Sequence, residues 1–299
     1  MVVFFKNMQY SYFKIAEFSV RLNVTYSALS PMENLCPFIA ENAENADFSL
    51  LLGCDVKLSG KEIYKSDEYD FAIFESERVF CIKFADIASG NNYLLEFDKD
   101  FKEYRTDMSA DCICKDVLNN MLMLSFTFAT IEKKSLMIHA SVAVLDGKAY
   151  LFLGKSGTGK STHCRLWLKN FKNADILNDD NPVLKFENGE TIVYGSPWSG
   201  KGAVYKNERY QVGGIARLAQ APYNKIERKS GAAAFALLYT SCSKLPWSSA
   251  FMEQICSIIG DIVSVTPIYY LECLPDDAAA QLSHSTMTTN HRITNDCAQ

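Results

Sequence analysis

Two neighbouring stretches decide the fold of this chain: Leu136-Met-Ile-His-Ala-Ser-Val-Ala-Val144 and Lys148-Ala-Tyr-Leu-Phe-Leu-Gly154-Lys-Ser-Gly-Thr-Gly-Lys-Ser161. Their apolar runs predict two strands, and the Asp146-Gly147 dipeptide between them is typical of a tight hairpin turn. A helix is expected from Lys160 to about Phe171, and Ala174-Asp-Ile-Leu-Asn178 leads back into the sheet. The strand before the glycine-rich loop therefore has an antiparallel neighbour, which predicts a mixed sheet rather than the mostly parallel, doubly wound kind.

The segment between the second strand and this helix matches the pattern G-x-x-x-x-G-K-[ST] of a phosphate-binding loop, the P-loop. Its glycines let backbone N–H groups point at phosphate oxygens, and the N-terminus of the following helix favours anions. Lys160 is expected to reach the β and γ phosphates, and the Ser161 hydroxyl to bind Mg²⁺, which takes hard oxygen ligands. The sequence thus predicts binding of ATP with Mg²⁺ by Gly154, Lys155, Ser156, Gly157, Thr158, Gly159, Lys160, Ser161 and Thr162.

An acidic pair follows the strand after the P-loop helix, in Asn178-Asp179-Asp180-Asn181-Pro182. Asn181-Pro182 is expected to end the strand, so both carboxylates can face the phosphates instead of opposite sides of the sheet. One carboxylate can accept a proton from an attacking hydroxyl while the other orients Mg²⁺. A simple turn is the alternative interpretation of the same residues.

Two histidines lie near these motifs. His139 is placed on the first strand of the hairpin, where both a packing role and a role at the phosphates remain open. His163 follows the P-loop on the predicted helix and is expected to face solvent without a function.

The rest of the chain divides into three predicted parts. Residues 1–110 carry short apolar runs separated by turn signals such as Ser59-Gly60, which is typical of a mostly β domain. Residues 111–282 begin with an apolar helix that serves as a hinge and continue into the P-loop domain. The polar residues 283–299 are expected to form a flexible tail.

Composition excludes several classes of protein. The net charge is −5, with 30 basic and 35 acidic residues, and no basic stripe marks a general nucleic-acid binder. No apolar run is long enough to span a bilayer, so we expect no membrane partner. The ten cysteines contain no CxxC pair, which argues against a zinc site and for reduced thiols in a cytoplasmic protein.

Over about residues 130–282, the chain resembles the catalytic domain of the HPr kinase/phosphorylase family. The matching elements are His139-Ala-Ser-Val-Ala-Val144, the P-loop and Asn178-Asp179-Asp180, in that order; Val212–Ala221, Gly195–Lys201 and Thr266–Asp276 are also similar. The wider fold group includes ATP-dependent phosphoenolpyruvate carboxykinases. The resemblance implies an α/β (α+β) P-loop kinase core with a mixed, partly antiparallel sheet, preceded by a mostly β N-terminal domain.

By the same resemblance, Asp179 is the general base, Asp180 binds Mg²⁺ together with Ser161, and His139 lies near the reacting phosphate. Lys201, in Trp198-Ser-Gly-Lys201, is a candidate for a further positive charge. Thr162 stands where the family usually has Glu.

The expected activity is ATP-dependent transfer of a phosphoryl group to a serine-like hydroxyl of a protein, peptide or small molecule. The N-terminal domain is a candidate for recognising the acceptor, and a homo-oligomer is possible by analogy. A non-catalytic ATP-binding regulator or peptide-maturation accessory, a carboxykinase and a phosphorylase are the alternatives.

Overall fold

The chain forms two compact units, Met1–Thr130 and Ile131–Gln299. The computed structural model describes residues 10–30, 32–41, 45–66, 70–243 and 248–289. The boundary expected from the sequence, between residues 110 and 111, lies 20 residues too early. Helix α1, Lys115–Thr130, belongs to the first unit because its Phe126 ring packs edge-on against Phe18 and Phe48 of that unit.

The first unit is mostly β, as the sequence predicts. In its described part, nine strands form one sheet in the order β3-β1-β2-β4-β9-β8-β7-β6-β5. The strands are β1 Ser11–Ile15, β2 Phe18–Leu22, β3 Ile39–Ala40, β4 Phe48–Leu51, β5 Lys61–Lys65, β6 Phe71–Glu75, β7 Val79–Ala85, β8 Asn92–Asp98 and β9 Glu103–Thr106. Strand β4 is parallel to β2 and β9, and the other neighbours are antiparallel. Alternating apolar residues bury one face of β1 and β2.

The second unit holds the P-loop. Its strands are β10 Ser135–Met137, β11 Ala140–Leu145, β12 Lys148–Leu153, β13 Asp175–Asn178, β14 Val183–Glu187, β15 Glu190–Tyr194, β16 Arg209–Gln220, β17 Lys225–Lys229 and β18 Ile268–Cys273. Its helices are α2 Lys160–Asn170, α3 Gly231–Tyr239, α4 Ser249–Val265 and α5 Asp277–Thr289.

The sheet of the second unit is mixed, which confirms the prediction. Its main path runs β10-β14-β15-β16-β12-β11-β13, and β18 pairs with β16 and β17. Strands β12, β16 and β18 are parallel to one another, whereas β11 runs antiparallel to β12 and β13. The predicted hairpin is also present: Leu145 pairs with Lys148, and Asp146 and Gly147 both have positive φ angles, of 49° and 77°.

Helices α2 and α5 contact each other and share one apolar core with the sheet. Trp167 of α2 and Met287 of α5 are fully buried in that core, together with Phe152 and Ala216 of the parallel strands. This packing holds the P-loop helix in a fixed position against the strand that precedes the loop.

Two expectations about element boundaries are wrong. The stretch from Leu136 to Val144 is not one strand: β10 pairs with β14, β11 pairs with β12 and β13, and His139 lies in the break between them. Residues 283–289 are not a flexible tail but the end of α5, where Ser283 is fully buried. Residues 290–299 lie outside the described part of the chain.

Candidate active site

The P-loop connects β12 to α2 in a conformation that depends on its glycines. Gly157 and Gly159 have φ angles of +78° and +109°, in the left-handed region that residues with a side chain rarely adopt. Gly159 is the N-cap of α2 and offers no side chain to cap the helix. The free N–H groups of the first turn are therefore directed to whatever binds there, as in an anion site.

Lys160 is the best-buried cation of this region, with 7% of its surface exposed. Its ammonium group donates to Gly154 O (3.0 Å) and lies 2.7 Å from His139 Nε2. Burial lowers the pKa of Lys160, an effect that the nearby carboxylates of Asp180 and Asp179 oppose. These contacts hold the Lys160 ammonium group in place at the loop.

His139 connects this lysine to the acidic pair. Its Nδ1 lies 2.8 Å from Asp180 Oδ1, and its Nε2 faces the Lys160 ammonium. A lysine ammonium can only donate, so this arrangement fits a neutral imidazole that donates from Nδ1 to Asp180 and accepts at Nε2. The fold thus brings three separate segments of the chain into one continuous line of polar contacts, from Asp180 through His139 to Lys160.

Asp179 has a different set of neighbours. It is 9% exposed and accepts a 2.6 Å hydrogen bond from the Ser141 hydroxyl. The Ser141 hydroxyl also lies 3.5 Å from that of Ser161, the expected Mg²⁺ ligand. Sequence reasoning missed Ser141, which lies on β11 two residues after His139; a hydroxyl within an apolar strand next to the motif histidine is the signal that could have found it.

The acidic loop is held by a network around Asn178. Strand β13 ends at Asn178, so Asp179 and Asp180 both lie outside regular strand structure. The Asn178 amide donates to the hydroxyl of Ser196, and its oxygen accepts the backbone N–H of Asp180. These hydrogen bonds hold the backbone of the acidic loop against the Ser196 segment.

The loop that contains Lys201 approaches Asp179 through its glycines. A Cβ on Gly202 would stand 3.0 Å from Asp179 Oδ2, and one on Gly200 would stand 3.0 Å from Asp179 O. The Lys201 side chain itself is exposed and makes no hydrogen bond or ion pair with the part of the chain that the structure describes. This loop therefore approaches the acidic pair with its backbone at the two glycines and not with the Lys201 ammonium group.

Two further residues beside the P-loop were not expected. Arg217 of β16 pairs in register with Leu153, the last residue before the loop, and its positive charge lowers the pKa of Lys160. It donates a 2.7 Å hydrogen bond to Ser241 Oγ, and the carbonyl of Ser241 accepts the backbone N–H of His139. An arginine within an apolar strand is the sequence signal that could have found it.

His163 does not face solvent. It is 2% exposed, and its Nε2 lies 2.9 Å from the Ser283 hydroxyl. Burial lowers its pKa to about 4, so the imidazole is neutral near pH 7 and has a structural role in the core.

The remaining loop side chains are open to a ligand: Lys155, Ser156 and Thr162 are exposed, and Thr158 Oγ1 donates to Lys155 O.

The donors at this site suit Mg²⁺. They are the hydroxyl of Ser161 and the carboxylates of Asp179 and Asp180, all hard oxygens, and Mg²⁺ usually takes only one or two carboxylates together with phosphates and water. Among the described residues, no cluster of three or more His, Cys, Asp or Glu side chains is arranged to hold a metal by itself. A metal that arrives with a nucleotide fits this donor set.

No protein-family model matches the chain, and no curated protein matches it either. Among solved structures, the HPr(Ser) kinase/phosphatase from Coxiella burnetii is similar over 54% of this chain and 98% of that chain, with 14% identity and a TM-score of 0.31. At this level of similarity two proteins need not share an activity. Within the described residues, no helix has both the length and the apolar character to cross a membrane.

Proposed function

We propose that this protein is an Mg²⁺-dependent phosphotransferase that moves the γ-phosphoryl group of a nucleoside triphosphate, ATP in the first instance, to a hydroxyl acceptor. One observation carries the proposal: at the N-terminus of α2, Lys160 meets His139, and two carboxylates lie around the same point. Positive charge for the phosphates and a base for the acceptor are the two requirements of phosphoryl transfer.

The proposed reaction is a single displacement at phosphorus. The acceptor oxygen bonds to the γ phosphorus while the bond from that phosphorus to the β–γ bridging oxygen breaks, and the acceptor proton passes to a carboxylate. Lys160 and the backbone N–H groups of the loop neutralise charge on the phosphates. Arg217 adds positive charge on the neighbouring strand.

Asp179 is proposed as the base and Asp180, with Ser161, as the Mg²⁺ partner, following the resemblance of the motif. Bound Mg²⁺ would supply charge neutralisation at the β and γ phosphates. The hydrogen bond from Ser141 to Asp179, and the closeness of Ser141 to Ser161, favour the reverse assignment as a second candidate. The two assignments differ in which aspartate is needed for binding and which only for transfer.

His139 is proposed to position Lys160. The imidazole lies 2.7 Å from the ammonium group, and Asp180 contacts the other ring nitrogen at 2.8 Å. A γ-phosphate would accept a hydrogen bond from the same ammonium group, and because it is charged it is a stronger acceptor than the imidazole. His139 then remains beside the reacting phosphorus, as the sequence interpretation expects.

The test is labelled phosphoryl transfer from ATP with Mg²⁺, to water and to serine-containing acceptors, with nucleotide affinity measured in parallel. Asp179→Asn should reduce transfer by at least about 100-fold, the usual contribution of a general base, while the dissociation constant for ATP changes little. Asp175→Asn is the matched control, because Asp175 lies at the other end of β13 and pairs on the surface with Lys206.

The outcomes separate the alternatives. Loss of Mg²⁺-dependent binding in Asp179→Asn would move the base to Asp180. If ATP binds with Mg²⁺ to the unaltered chain but neither water nor any acceptor receives the label, the protein is a nucleotide-binding regulator and the kinase proposal is wrong. Consumption of inorganic phosphate in the reverse direction would identify a phosphorylase.

A further inference from the structure

Strand β11 lies between the two halves of the candidate site. It pairs on one side with β12, which leads into the P-loop, and on the other side with β13, which ends just before the acidic pair. The backbone N–H of Ala140, the first residue of β11, donates to the carbonyl of Asp180 at 2.9 Å. A side chain near the start of β11 can therefore contact groups from both halves of the site.

Ser141 is the one polar residue of this strand, and its side chain has no access to solvent. Its hydroxyl lies 2.6 Å from Asp179 Oδ1 and 3.5 Å from Ser161 Oγ. Burial alone does not produce such contacts in this sheet. Ser135 on β10 is also buried, at 2% exposure, and its hydroxyl has no hydrogen-bond partner within the described residues. The contacts of Ser141 therefore come from its place between the P-loop and the acidic loop.

The Asp179 carboxylate depends on this hydroxyl. Ser141 is the only described residue that donates a hydrogen bond to it. The residue is 9% exposed, and its second carboxylate oxygen lies beside Gly202, where an added Cβ would stand 3.0 Å away. Without the Ser141 hydroxyl, no other protein group would hold Oδ1 on the side of Ser161.

The hydroxyl of Ser141 keeps unused hydrogen-bonding capacity. A serine hydroxyl has one proton and two lone pairs, and the proton is engaged by Asp179, because a carboxylate can only accept. The distance of 3.5 Å to Ser161 Oγ exceeds that of an ordinary hydroxyl hydrogen bond, about 2.5–3.0 Å, so Ser161 does not saturate these lone pairs. Water bound to Mg²⁺ is a strong donor, and Mg²⁺ usually keeps several of its waters. Such a water beside Ser161 is a partner that Ser141 can accept from.

We infer that Ser141 is a positioning residue of the Mg²⁺ site, which links Asp179 to Ser161 and accepts a hydrogen bond from water on the metal. The inference rests on the proposed function, because it takes Ser161 as the Mg²⁺ ligand of the P-loop. It adds to the site a residue from β11 that does not touch the nucleotide, and it holds for either assignment of the two aspartates.

The test measures how much Mg²⁺ contributes to nucleotide binding, and it requires no turnover. The dissociation constant of ATP is determined by calorimetry with excess Mg²⁺ and again with EDTA, and the ratio of the two values gives the contribution of the metal. The variants are Ser141→Ala, which removes the hydroxyl, and Ser141→Cys, which keeps a weaker donor of similar size. Ser135→Ala is the matched control, since it removes a buried strand hydroxyl that has no partner among the described residues. Urea unfolding confirms that each variant is folded.

In Ser141→Ala we expect the contribution of Mg²⁺ to fall about tenfold, as it does when a group that orients metal ligands is removed, while the affinity measured with EDTA stays within about twofold. Ser141→Cys should lie between this variant and the unaltered chain, and Ser135→Ala should match the unaltered chain. An unchanged ratio in Ser141→Ala, or equal weakening of ATP binding with Mg²⁺ and with EDTA, would overturn the inference. An equal loss in Ser135→Ala, or no effect of Mg²⁺ on the unaltered chain, would also overturn it. Failure of the unaltered chain to bind ATP under either condition would instead refute the proposed function itself.

Discussion

The Ser283 hydroxyl of α5 is a buried group that contacts two side chains of α2. It lies 2.9 Å from His163 Nε2, accepts a 2.9 Å hydrogen bond from Trp167 Nε1, and donates to Ala280 O at 3.0 Å. Ser283 is fully buried, so water cannot replace the hydroxyl if it is removed. Ser283→Ala therefore leaves two ring nitrogens in the core without their partner.

The cost follows from those two nitrogens. A buried polar group that loses its partner costs about 1–3 kcal/mol, so for two such groups we expect Ser283→Ala to lower the free energy of unfolding of the second unit by about 2–6 kcal/mol. The matched control is Ser285→Ala, on the same helix, because the Ser285 hydroxyl is exposed and bonds only within its own helix turn, to Leu282 O. That change should stay within about 0.5 kcal/mol.

Urea unfolding followed by tryptophan fluorescence measures this difference. Residues 1–130 contain no tryptophan, whereas Trp167 and Trp198 are buried in the second unit, so the signal does not report the first unit. If Ser283→Ala and Ser285→Ala unfold within about 0.5 kcal/mol of each other, α5 does not anchor α2 through this hydroxyl. The end of the chain from residue 283 would then behave as the flexible segment that the sequence suggested.

Three other perturbations give results of known sign. Burial lowers the pKa of His163 to about 4, below its value in the unfolded chain, so on acidification the unfolded chain binds a proton at this histidine before the folded chain does. The contribution of His163 to the free energy of unfolding is therefore fully present above the unfolded pKa and is lost as the pH falls toward about 4. Between about pH 7 and about pH 5 the loss from this group is about 2 kcal/mol, and pH-dependent urea unfolding of His163→Gln should lack it. Arg217→Gln should weaken ATP binding by about tenfold, the effect of one lost charged hydrogen bond, with Arg217→Lys in between; equal calorimetric affinities of all three proteins would show that the arginine has no phosphate role. Gly195→Ala should destabilise the second unit by more than about 2 kcal/mol, because its Cβ would stand 2.0 Å from the backbone oxygen of Lys206. Gly260→Ala on α4 has open space around the new Cβ and should stabilise the helix by about 0.5–1 kcal/mol. The melting temperature should therefore fall in the first variant and rise in the second.

Local patterns predicted the strand–loop–helix unit well. Asp146-Gly147 requires two successive positive φ angles, which these residues supply, and the hairpin forms there with the expected register. The glycines of the P-loop act in the same way, because their left-handed backbone is a property of the residue and not of its surroundings. The mixed character of the second sheet followed directly from these two local features.

The candidate site was predicted only in part. Lys160, His139, Asp179 and Asp180 were recognised by their motifs, and the structure brings them together. Ser141 and the contact of Arg217 with Ser241 were not found, because a hydrogen bond between residues that are 38 or 24 positions apart leaves no pattern in a single sequence. Such contacts depend on which strands become neighbours.

The roles of His163 and the chain end were decided by tertiary structure alone. On α2 by itself, His163 is one more polar residue of an amphipathic helix, and residues 283–299 are polar enough to suggest disorder. Packing of α5 on α2 buries both His163 and Ser283, and the Ser283 hydroxyl contacts the His163 ring although the two residues are 120 positions apart in the sequence. By itself, therefore, the sequence determined where the backbone must turn and predicted where phosphate can bind, since both depend on the residues at those positions. Burial depends on distant neighbours, and only the folded chain decided which polar side chains lie in the core and which remain at the site.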